Sequence, residues 1–339
     1  MLQGKLLYIG NKPSAQGGTL TTIESLSALL KQEGYRIETA SHKKNKIFRL
    51  LHMLYCVCKH RNVVSKVLID TYSTQNFYYA VYVAKLCRIF KIPYIPILHG
   101  GNLQERLKNS PMLSNKLFNN AAINVSPSLF LKEMFQKRGY NNVIFIPNSI
   151  ELEKYPFLLR KAYPPKLLWV RSFSEIYNPM LALKVLKQLV ENGIAASLCM
   201  IGPEKDGSLM KCKAFAEAEN LPVIFTGKLT KEEWITRSKE STIFLNTTFY
   251  DNMPVSVIEA MALGLPVIST NVGGIPFLIQ TKINGLLVPP DNTEAMISAI
   301  THLTTNPEDA MQIATNARKI VEDFDWINVK QKWMKVLNE

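Results

Sequence analysis

Short apolar segments alternate with longer amphipathic segments along the whole chain. In the first half the apolar, β-branched runs are Lys5–Ile9, Val67–Asp70, Tyr94–Leu98, Ile123–Val125 and Val143–Ile146. The pattern starts again in the second half, with runs at Lys166–Val170, Ala196–Ile201, Val223–Thr226, Ile243–Asn246, Val267–Ser269 and Gly285–Val288. Runs of this length predict strands, and the segments between them predict helices. Because such alternation is typical of parallel sheets, the sequence predicts an α/β protein with two parallel sheets.

The stretch 150–165 separates the two series of strands. It is polar and contains Pro156, Pro164 and Pro165, which is typical of a linker. We therefore expect two doubly wound, Rossmann-like domains, 1–160 and 161–339, with ligands at the carboxyl ends of the strands and in the cleft between the domains. The last helical stretch, about 326–337, is expected to pack back on the first domain.

The composition narrows the class of protein and its compartment. The 339 residues are 47% hydrophobic, which is typical of a folded chain. Five cysteines, at positions 56, 58, 87, 199 and 212, have no zinc-ribbon spacing and indicate free thiols in a reducing compartment. The start of the chain holds too short an apolar run for a signal peptide, and no apolar run approaches the roughly 20 residues of a membrane span. We expect a cytoplasmic protein.

The net charge of +13 is concentrated in the first half of the chain. Residues 1–160 contain 22 Lys and Arg against 8 Asp and Glu, whereas residues 161–339 contain 18 against 19. This asymmetry indicates an anionic partner for the first half, which is a phospholipid, a phosphorylated acceptor or a nucleic acid. The segment His42–Lys66 has the pattern of a basic amphipathic helix. It is either an ordinary domain helix whose cationic face is exposed to solvent or a helix that lies on an anionic membrane surface.

One segment of the second half carries the most specific pattern. Asp251, Asn252 and Pro254 predict a turn, and the helix that begins near Val255 presents free backbone N–H groups that suit a phosphate. Glu259, about one turn into this helix, could accept the hydroxyls of a ribose. Each residue taken alone is also consistent with a helix cap or a solvated helix position.

This segment resembles the signature of the retaining glycosyltransferases of family 4, which have the GT-B fold of two facing Rossmann-like domains. The family pattern Glu-x7-Glu is matched by Asp251-x7-Glu259, with the first acid shortened to Asp. The family's Ala-Met-Ala-x-Gly-x-Pro-Val is matched at 260–267, and its Val-Gly-Gly at 272–274. The resemblance covers most of the chain. It implies a retaining, metal-independent enzyme that moves a sugar from a nucleotide-diphosphate sugar to an acceptor hydroxyl.

The resemblance also implies roles for the residues of this segment. Glu259 would hold the nucleotide ribose, and Asp251 would hold hydroxyls of the transferred sugar. The backbone around the start of the helix would bind the sugar and the diphosphate, at Asn252, Met253, Pro254, Val255 and Ser256. Because Asp is one methylene shorter than Glu, the reach of Asp251 differs from that of the family residue.

Other parts of the second half match the family less completely. Arg171 ends a predicted strand where the family has an arginine that neutralises the donor diphosphate. The family's lysine five residues later is Ile176 here, so either another cation such as Lys205 or Lys228 takes over, or the diphosphate is held less strongly. The turns at Gly202 and Lys228 resemble those beneath the nucleotide base, where backbone groups read the base.

Two features of the first half resemble the acceptor side of the family. Gly17 and Gly18 follow the first predicted strand, like the family's glycine loop, whose backbone approaches a phosphate. On their own they also suit an ordinary turn. His99 closes the strand Tyr94–Leu98, the position of the family histidine that lies close to the transferred sugar.

The motifs of several other chemistries are missing from the sequence. There is no phosphate loop, no His-Glu-x-x-His and no dinucleotide fingerprint, and Asp323-x-Asp325 suits a helix start better than a metal site. We expect no metal and no cofactor beyond the nucleotide-sugar co-substrate.

The expected acceptor is anionic or lipid-linked, a precursor of a surface polysaccharide. We also expect the protein to make peripheral contact with the inner face of the membrane.

Two other functions remain open on the same fold. A nucleotide-sugar epimerase would change its donor without needing an acceptor. A non-catalytic GT-B binding protein would explain both the shortened Asp251 and the missing lysine at Ile176. Nucleic-acid binding lacks a matching recognition motif.

Overall fold

The protein is described here by a computed structural model, in which contacts divide the chain into two units. The described residues are 4–12, 21–99 and 102–339. The first unit comprises Met1–Asn148 and Trp326–Glu339, and the second comprises Ser149–Asp325. The division falls ahead of the expected boundary at 160, because residues after Ser149 are bonded to the second unit. Leu158, for example, donates its backbone N–H to the Leu263 carbonyl at 3.2 Å.

Within the described residues each unit contains one sheet of six parallel strands. The first sheet has the order β2-β1-β3-β4-β5-β6 and the second has the order β12-β11-β10-β7-β8-β9. The strands of the first unit are β1 (Lys5–Ile9), β2 (Ile37–Ala40), β3 (Val64–Thr71), β4 (Tyr94–Leu98), β5 (Asn124–Ser126) and β6 (Val143–Phe145). Those of the second unit are β7 (Lys166–Val170), β8 (Ser197–Ile201), β9 (Val223–Gly227), β10 (Ile243–Asn246), β11 (Val267–Thr270) and β12 (Leu286–Val288).

Helices connect the strands in both units. The first unit contains α1 (Thr22–Gln32), α2 (Lys46–His60), α3 (Asn76–Ile89), α4 (Leu103–Asn109), α5 (Pro111–Phe118) and α6 (Leu129–Lys137). The second contains α7 (Pro179–Glu191), α8 (Ser208–Ala218), α9 (Lys231–Ser238), α10 (Val255–Ala262), α11 (Thr293–Thr305) and α12 (Pro307–Glu322). The last helix, α13 (Trp326–Asn338), returns to the first unit. Among the helices of the described ranges, none has both the length and the apolar character needed to cross a bilayer.

The predicted α/β fold with two parallel sheets is confirmed. Every predicted strand is present, with ends that differ from the prediction by at most three residues. The pattern missed β2, because the two central residues of this short edge strand, Glu38 and Thr39, are polar and break the apolar run.

Both faces of the first sheet are covered by helices. Successive side chains of a strand point to opposite faces of the sheet, so its apolar residues need a packing partner on each face. Leu7 and Ile9 of β1 pack in a core with residues of α2, α3, α5 and α6. Leu6 and Tyr8, on the opposite face, pack with α1 and α13. Helix α13 therefore completes the core of the first unit, with Trp333 only 4% exposed.

The basic segment predicted as one helix over His42–Lys66 is shorter in the structure. Helix α2 begins after Asn45, whose side chain caps its first turn, and ends at His60 before strand β3. The prediction was wrong for Lys66, which lies in β3 because β-branched residues precede it. Its Nζ donates to the carbonyls of Val336 and Leu337 at 2.9 and 3.1 Å, so it neutralises the end of α13 rather than joining a basic surface.

Trp333→Ala is expected to destabilise the first unit by about 3–5 kcal/mol, because it removes a large buried side chain and leaves a cavity between α13 and the sheet. Urea unfolding followed by far-UV circular dichroism measures the loss. Lys335→Ala, on the exposed side of the same helix, is the control and should change little. Equal stability of the two variants would contradict the assignment of α13 to this core.

Candidate functional site

The strand order of the second sheet reverses between β7 and β10. The chain runs from β7 outward to β8 and β9, and then returns to the other side of β7 with β10. At such a reversal the loops after the two strands diverge and leave a crevice, where α/β proteins bind ligands. Arg171 directly follows β7, and Asp251 lies in the loop after β10. Two of the predicted site residues therefore meet at this reversal.

Arg171 and Asp251 form an ion pair through Nη2 and Oδ2. Both side chains are largely buried, with 19% and 14% of their surface exposed. The guanidinium also lies over the Tyr177 ring, 4.3 Å from its centroid, which is an attractive arrangement for a cation. Burial lowers the pKa of Arg171 from its usual value, but arginine remains charged in proteins. The site thus holds a fixed, charged and planar donor group that suits a phosphate.

Two glycines allow the loops of this ion pair to approach their neighbours. Gly202, which follows β8, has a φ of +154°, and a Cβ there would collide with the Arg171 carbonyl. Gly273 has a φ of +55°, and a Cβ there would collide with the Asp251 carbonyl. That carbonyl accepts the backbone N–H of Gly274 at 2.9 Å. Glycine at these positions therefore lets the backbone hold Arg171 and Asp251 in their crevice.

Helix α10 begins directly after the Asp251 loop. Its N-cap, Pro254, makes no side-chain cap, which leaves the first-turn N–H groups of Val255 and Ser256 for another acceptor. The Ser256 hydroxyl is buried and has no hydrogen-bond partner within the described part of the chain. Asn252 is also buried, and its N–H donates to Asp251 Oδ1 at 2.8 Å. A buried hydroxyl at a helix start is a suitable donor for an anion.

Glu259 lies one turn further along α10 and is 4% exposed. Its Oε1 accepts a hydrogen bond from the Tyr155 hydroxyl at 2.7 Å and forms an ion pair with Lys231. Burial and the nearby carboxylate raise the pKa of Tyr155, so its hydroxyl remains a neutral donor. Lys231 itself is 44% exposed and lies 5.7 Å from the centre of the Trp234 ring. The buried carboxylate is therefore compensated by one hydroxyl and one partly solvated cation.

Sequence reasoning missed Tyr155 and Lys231. Tyr155 lies in the stretch interpreted as a linker, and Lys231 opens α9 in a Thr-Lys-Glu-Glu sequence that predicts only a helix start. Neither residue belongs to a recognisable sequence motif. Their contacts with Glu259 form only when β9, α9 and the chain after Ser149 fold together. The two cations that the sequence suggested, Lys205 and Lys228, are exposed in the turns after β8 and β9.

The strand order of the first sheet reverses between β1 and β3, and a second polar cluster lies next to this reversal. His99, after β4, contacts Asp70 Oδ1 through Nε2 at 2.8 Å, and the Tyr8 hydroxyl donates to the same oxygen at 2.8 Å. His99 is thus held at the carboxyl edge of the sheet, as expected. Gly17 and Gly18 lie outside the described residues.

The remaining predicted positions have no common chemistry. Met253 is half-buried in the loop before α10, and Ile176 is exposed in the turn after β7. No group of three or more metal-ligating side chains occurs in residues 4–12, 21–99 and 102–339.

Comparisons with known sequences connect this site to one family. The sequence model of the family described as "Glycosyl transferases group 1" matches residues 151–320. The amylovoran biosynthesis glycosyltransferase AmsK of Erwinia amylovora is 29% identical over 183 residues, 51% of this chain and 45% of that protein. The UDP-Gal:alpha-D-GlcNAc-diphosphoundecaprenol alpha-1,3-galactosyltransferase of Escherichia coli is 23% identical over 197 residues, 53% of this chain and 50% of that protein. The matched region spans half or less of these curated relatives.

A solved structure resembles the whole chain. HepE of Anabaena in complex with UDP-glucose has a TM-score of 0.78 and 16% sequence identity, with 98% of this chain and 99% of that chain covered. This likeness shows the GT-B fold, which confirms the fold predicted from the sequence.

Arg171→Met is expected to destabilise the second unit by about 3–5 kcal/mol, because it leaves the Asp251 carboxylate largely buried without its cation. The double variant Arg171→Met with Asp251→Asn should recover part of the loss, since it removes both charges. Urea unfolding of the single and double variants measures the difference. Lys211→Met, in an exposed pair with Glu175, is the control and should unfold like the wild type. A double variant less stable than Arg171→Met would rule out the ion pair as the cause.

Proposed function

Because the chain belongs to the glycosyl transferases group 1 family, we propose that it transfers a sugar from a nucleotide-diphosphate sugar to an acceptor hydroxyl. The observation that supports this most is the juxtaposition of Arg171, Asp251 and the uncapped start of α10 at the strand reversal of the second sheet. A cation, a carboxylate and free N–H groups in one crevice can bind both a diphosphate and the hydroxyls of a sugar.

The donor would bind to the second unit as follows. The diphosphate accepts from the Arg171 guanidinium, the first N–H groups of α10 and the Ser256 hydroxyl. The ribose hydroxyls donate to Glu259, whose carboxylate is held by Tyr155 at 2.7 Å. Asp251, bonded to the Asn252 N–H through one oxygen, turns its other oxygen toward Arg171. In this arrangement a hydroxyl of the transferred sugar competes for Asp251, so donor binding loosens the ion pair.

The same groups suit a retaining, metal-independent reaction of family 4 type. When the glycosidic bond breaks, negative charge develops on the leaving diphosphate, and fixed donors aimed at it lower the barrier. Arg171 and the N–H groups of α10 supply this stabilisation, so a divalent cation is not required in the proposal. The acceptor hydroxyl attacks from the side of the leaving group and gives its proton to the departing diphosphate oxygen.

The proposed acceptor is anionic and lipid-linked, a precursor of a surface polysaccharide. The excess of Lys and Arg in residues 1–160 supports an anionic partner. The name of the Escherichia coli relative describes a galactosyltransferase that acts on a diphosphoundecaprenol-linked sugar, and AmsK is named for amylovoran biosynthesis. The proposed location is the cytoplasm, at the inner face of the membrane.

Helix α2 supports a membrane contact of the first unit. Four large apolar residues on it are more than half exposed, namely Ile47, Phe48, Leu51 and Tyr55. Exposed Lys and Arg side chains surround them at Lys43, Lys44, Lys46, Lys59 and Arg61. A peripheral membrane helix inserts its apolar side chains among the acyl chains of the lipids. Its cations contribute about 1 kcal/mol each at an anionic surface.

Glu259→Gln and Arg171→Lys should each weaken donor binding and lower turnover with a nucleotide sugar, by roughly tenfold to a hundredfold. The first removes a charge-assisted hydrogen bond to the ribose, and the second removes a bidentate partner of the diphosphate. Thermal-shift titrations with UDP- and GDP-sugars, followed by assays of nucleotide release with extracted membranes, measure both effects. Glu175→Gln, an exposed acid of the same unit, is the control.

Other outcomes of this assay have distinct meanings. Nucleotide release that requires membranes and persists in EDTA is the expected result. A donor sugar that changes without release of a nucleotide would indicate an epimerase. A donor that binds but never turns over with any membrane extract would indicate a non-catalytic binding protein.

Phe48→Ser with Leu51→Ser should weaken binding to anionic vesicles by at least tenfold, because each substitution removes an exposed apolar side chain worth roughly 1.5–3 kcal/mol of burial. Co-sedimentation with vesicles of phosphatidylglycerol and phosphatidylcholine measures the loss, and added salt should weaken the wild type further. Met210→Ser, an exposed apolar residue of the second unit, is the matched control. Equal binding by all three proteins would rule out α2 as the membrane surface.

A further inference from the structure

Lys231 occupies an unusual position for a cation. It is the first residue of α9, where the free N–H groups of a helix disfavour positive charge. Glu232 and Glu233, which follow in the same turn, suit this position, whereas a lysine does not. The Lys231 ammonium instead extends to the Glu259 carboxylate in α10 and lies 5.7 Å from the centre of the Trp234 ring. What this lysine contacts, and not the stability of its own helix, therefore explains its presence.

The contact of Lys231 with Glu259 can be exchanged for another. The Lys231 ammonium and the Tyr155 hydroxyl both donate to the same oxygen, Oε1. Tyr155 is 6% exposed, whereas 44% of the Lys231 side chain is exposed to solvent. Because water already reaches the ammonium, opening this ion pair costs less than opening a fully buried one. A pair of ligand hydroxyls that binds Glu259 can therefore take the place of Lys231 and leave Tyr155 where it is.

Glu259 brings the ammonium close to the start of α10. Ser256 and Glu259 are three residues apart, so they lie on one face of the helix with roughly 5–6 Å between their Cβ atoms. Side chains of a helix lean toward its amino-terminal end, which brings the Glu259 carboxylate toward the first turn. The Ser256 hydroxyl in that turn is buried and makes no hydrogen bond within the described residues. The Lys231 ammonium is therefore within about one helical turn of an anion bound at this hydroxyl.

The charges of the crevice favour a second cation for such an anion. In the free protein Arg171 pairs with Asp251. Lys231 pairs with Glu259, so the four charges cancel. A nucleotide-diphosphate sugar brings one negative charge on each phosphate, together with the hydroxyls of its ribose and its sugar. When these hydroxyls bind the two acids, both cations are released, and two cations match two phosphates. Arg171 alone would leave one of the phosphates without a cation.

We propose that Lys231 is a second cation of the donor site, which leaves Glu259 when the ribose binds there and moves to the diphosphate. In the free protein the same ammonium compensates the buried carboxylate. The proposal rests on the proposed function, because it takes the ligand to be a nucleotide diphosphate. Lys231 then favours a nucleotide that has the diphosphate over the nucleoside that lacks it.

Binding of UDP and of uridine tests this role, because both contain the ribose and only UDP contains the diphosphate. Calorimetric titration measures the dissociation constant of UDP, and competition against UDP measures that of uridine. In Lys231→Met, UDP is expected to bind roughly tenfold to a hundredfold more weakly, as for loss of a charge-assisted hydrogen bond. Uridine should bind as tightly as to the wild type or more tightly, because its competitor for Glu259 is gone.

Three further variants complete the test. Lys231→Arg keeps the charge and should retain most of the preference for UDP over uridine. Lys231→Gln keeps a neutral donor for Glu259 without the charge, and it provides the same test if the methionine variant fails to fold. Lys239→Met removes an exposed cation at the other end of α9 and should change neither dissociation constant.

Each other outcome has a distinct meaning. Weaker binding of UDP and uridine by the same factor would show that Lys231 only supports Glu259, and tighter binding of both would show that it only blocks the ribose. Either result overturns the proposal. If the wild type binds UDP and the Lys231 variants bind it equally well, the role of Lys231 is wrong while the donor site stands. If the wild type binds neither UDP and uridine nor GDP and guanosine, the proposed donor site fails, and the role of Lys231 fails with it.

Discussion

The ion pair of Arg171 and Asp251 is held at the point where the second sheet changes direction. Such a pair loses much of its hydration on burial, and the attraction between the two charges offsets this free-energy cost only with good geometry and further partners. Tyr177 below the guanidinium and the close backbone approaches at Gly202 and Gly273 provide that geometry. The site depends on this constraint, because the loop that carries Asp251 also sets the start of α10 and thereby the positions of Ser256 and Glu259.

The first unit repeats the arrangement with different chemistry. Its sheet also reverses, and a buried acid again lies at the reversal, but Asp70 contacts a histidine and a tyrosine instead of an arginine. The second unit thus presents positive charge to a ligand, whereas the cluster of the first unit presents hydrogen-bonding groups without a fixed cation.

The sequence predicts the parts of this protein that depend on local patterns. Parallel sheets follow from strand and helix periodicity. The resemblance to family 4 is what points to Arg171, Asp251, Glu259 and His99, and their functional roles stay predictions. Residues that act through tertiary contacts escape such reasoning. Tyr155 and Lys231 contact Glu259 although they lie 104 and 28 residues away from it in the sequence. In the sequence, Asp70 is indistinguishable from an ordinary residue at the end of a strand. The role of Lys66 was misread for the same reason, since its partners are carbonyls at the other end of the chain.

We propose above that the crevice at the strand reversal of the second sheet binds a nucleotide diphosphate. A crystal structure of the chain grown with UDP would locate the nucleotide. We expect the diphosphate to contact the Arg171 guanidinium and the first N–H groups of α10. The ribose hydroxyls should bind Glu259, and Lys231 should be displaced from that carboxylate. A nucleotide bound elsewhere, with the ion pairs of Arg171 and Glu259 both intact, would rule out this site.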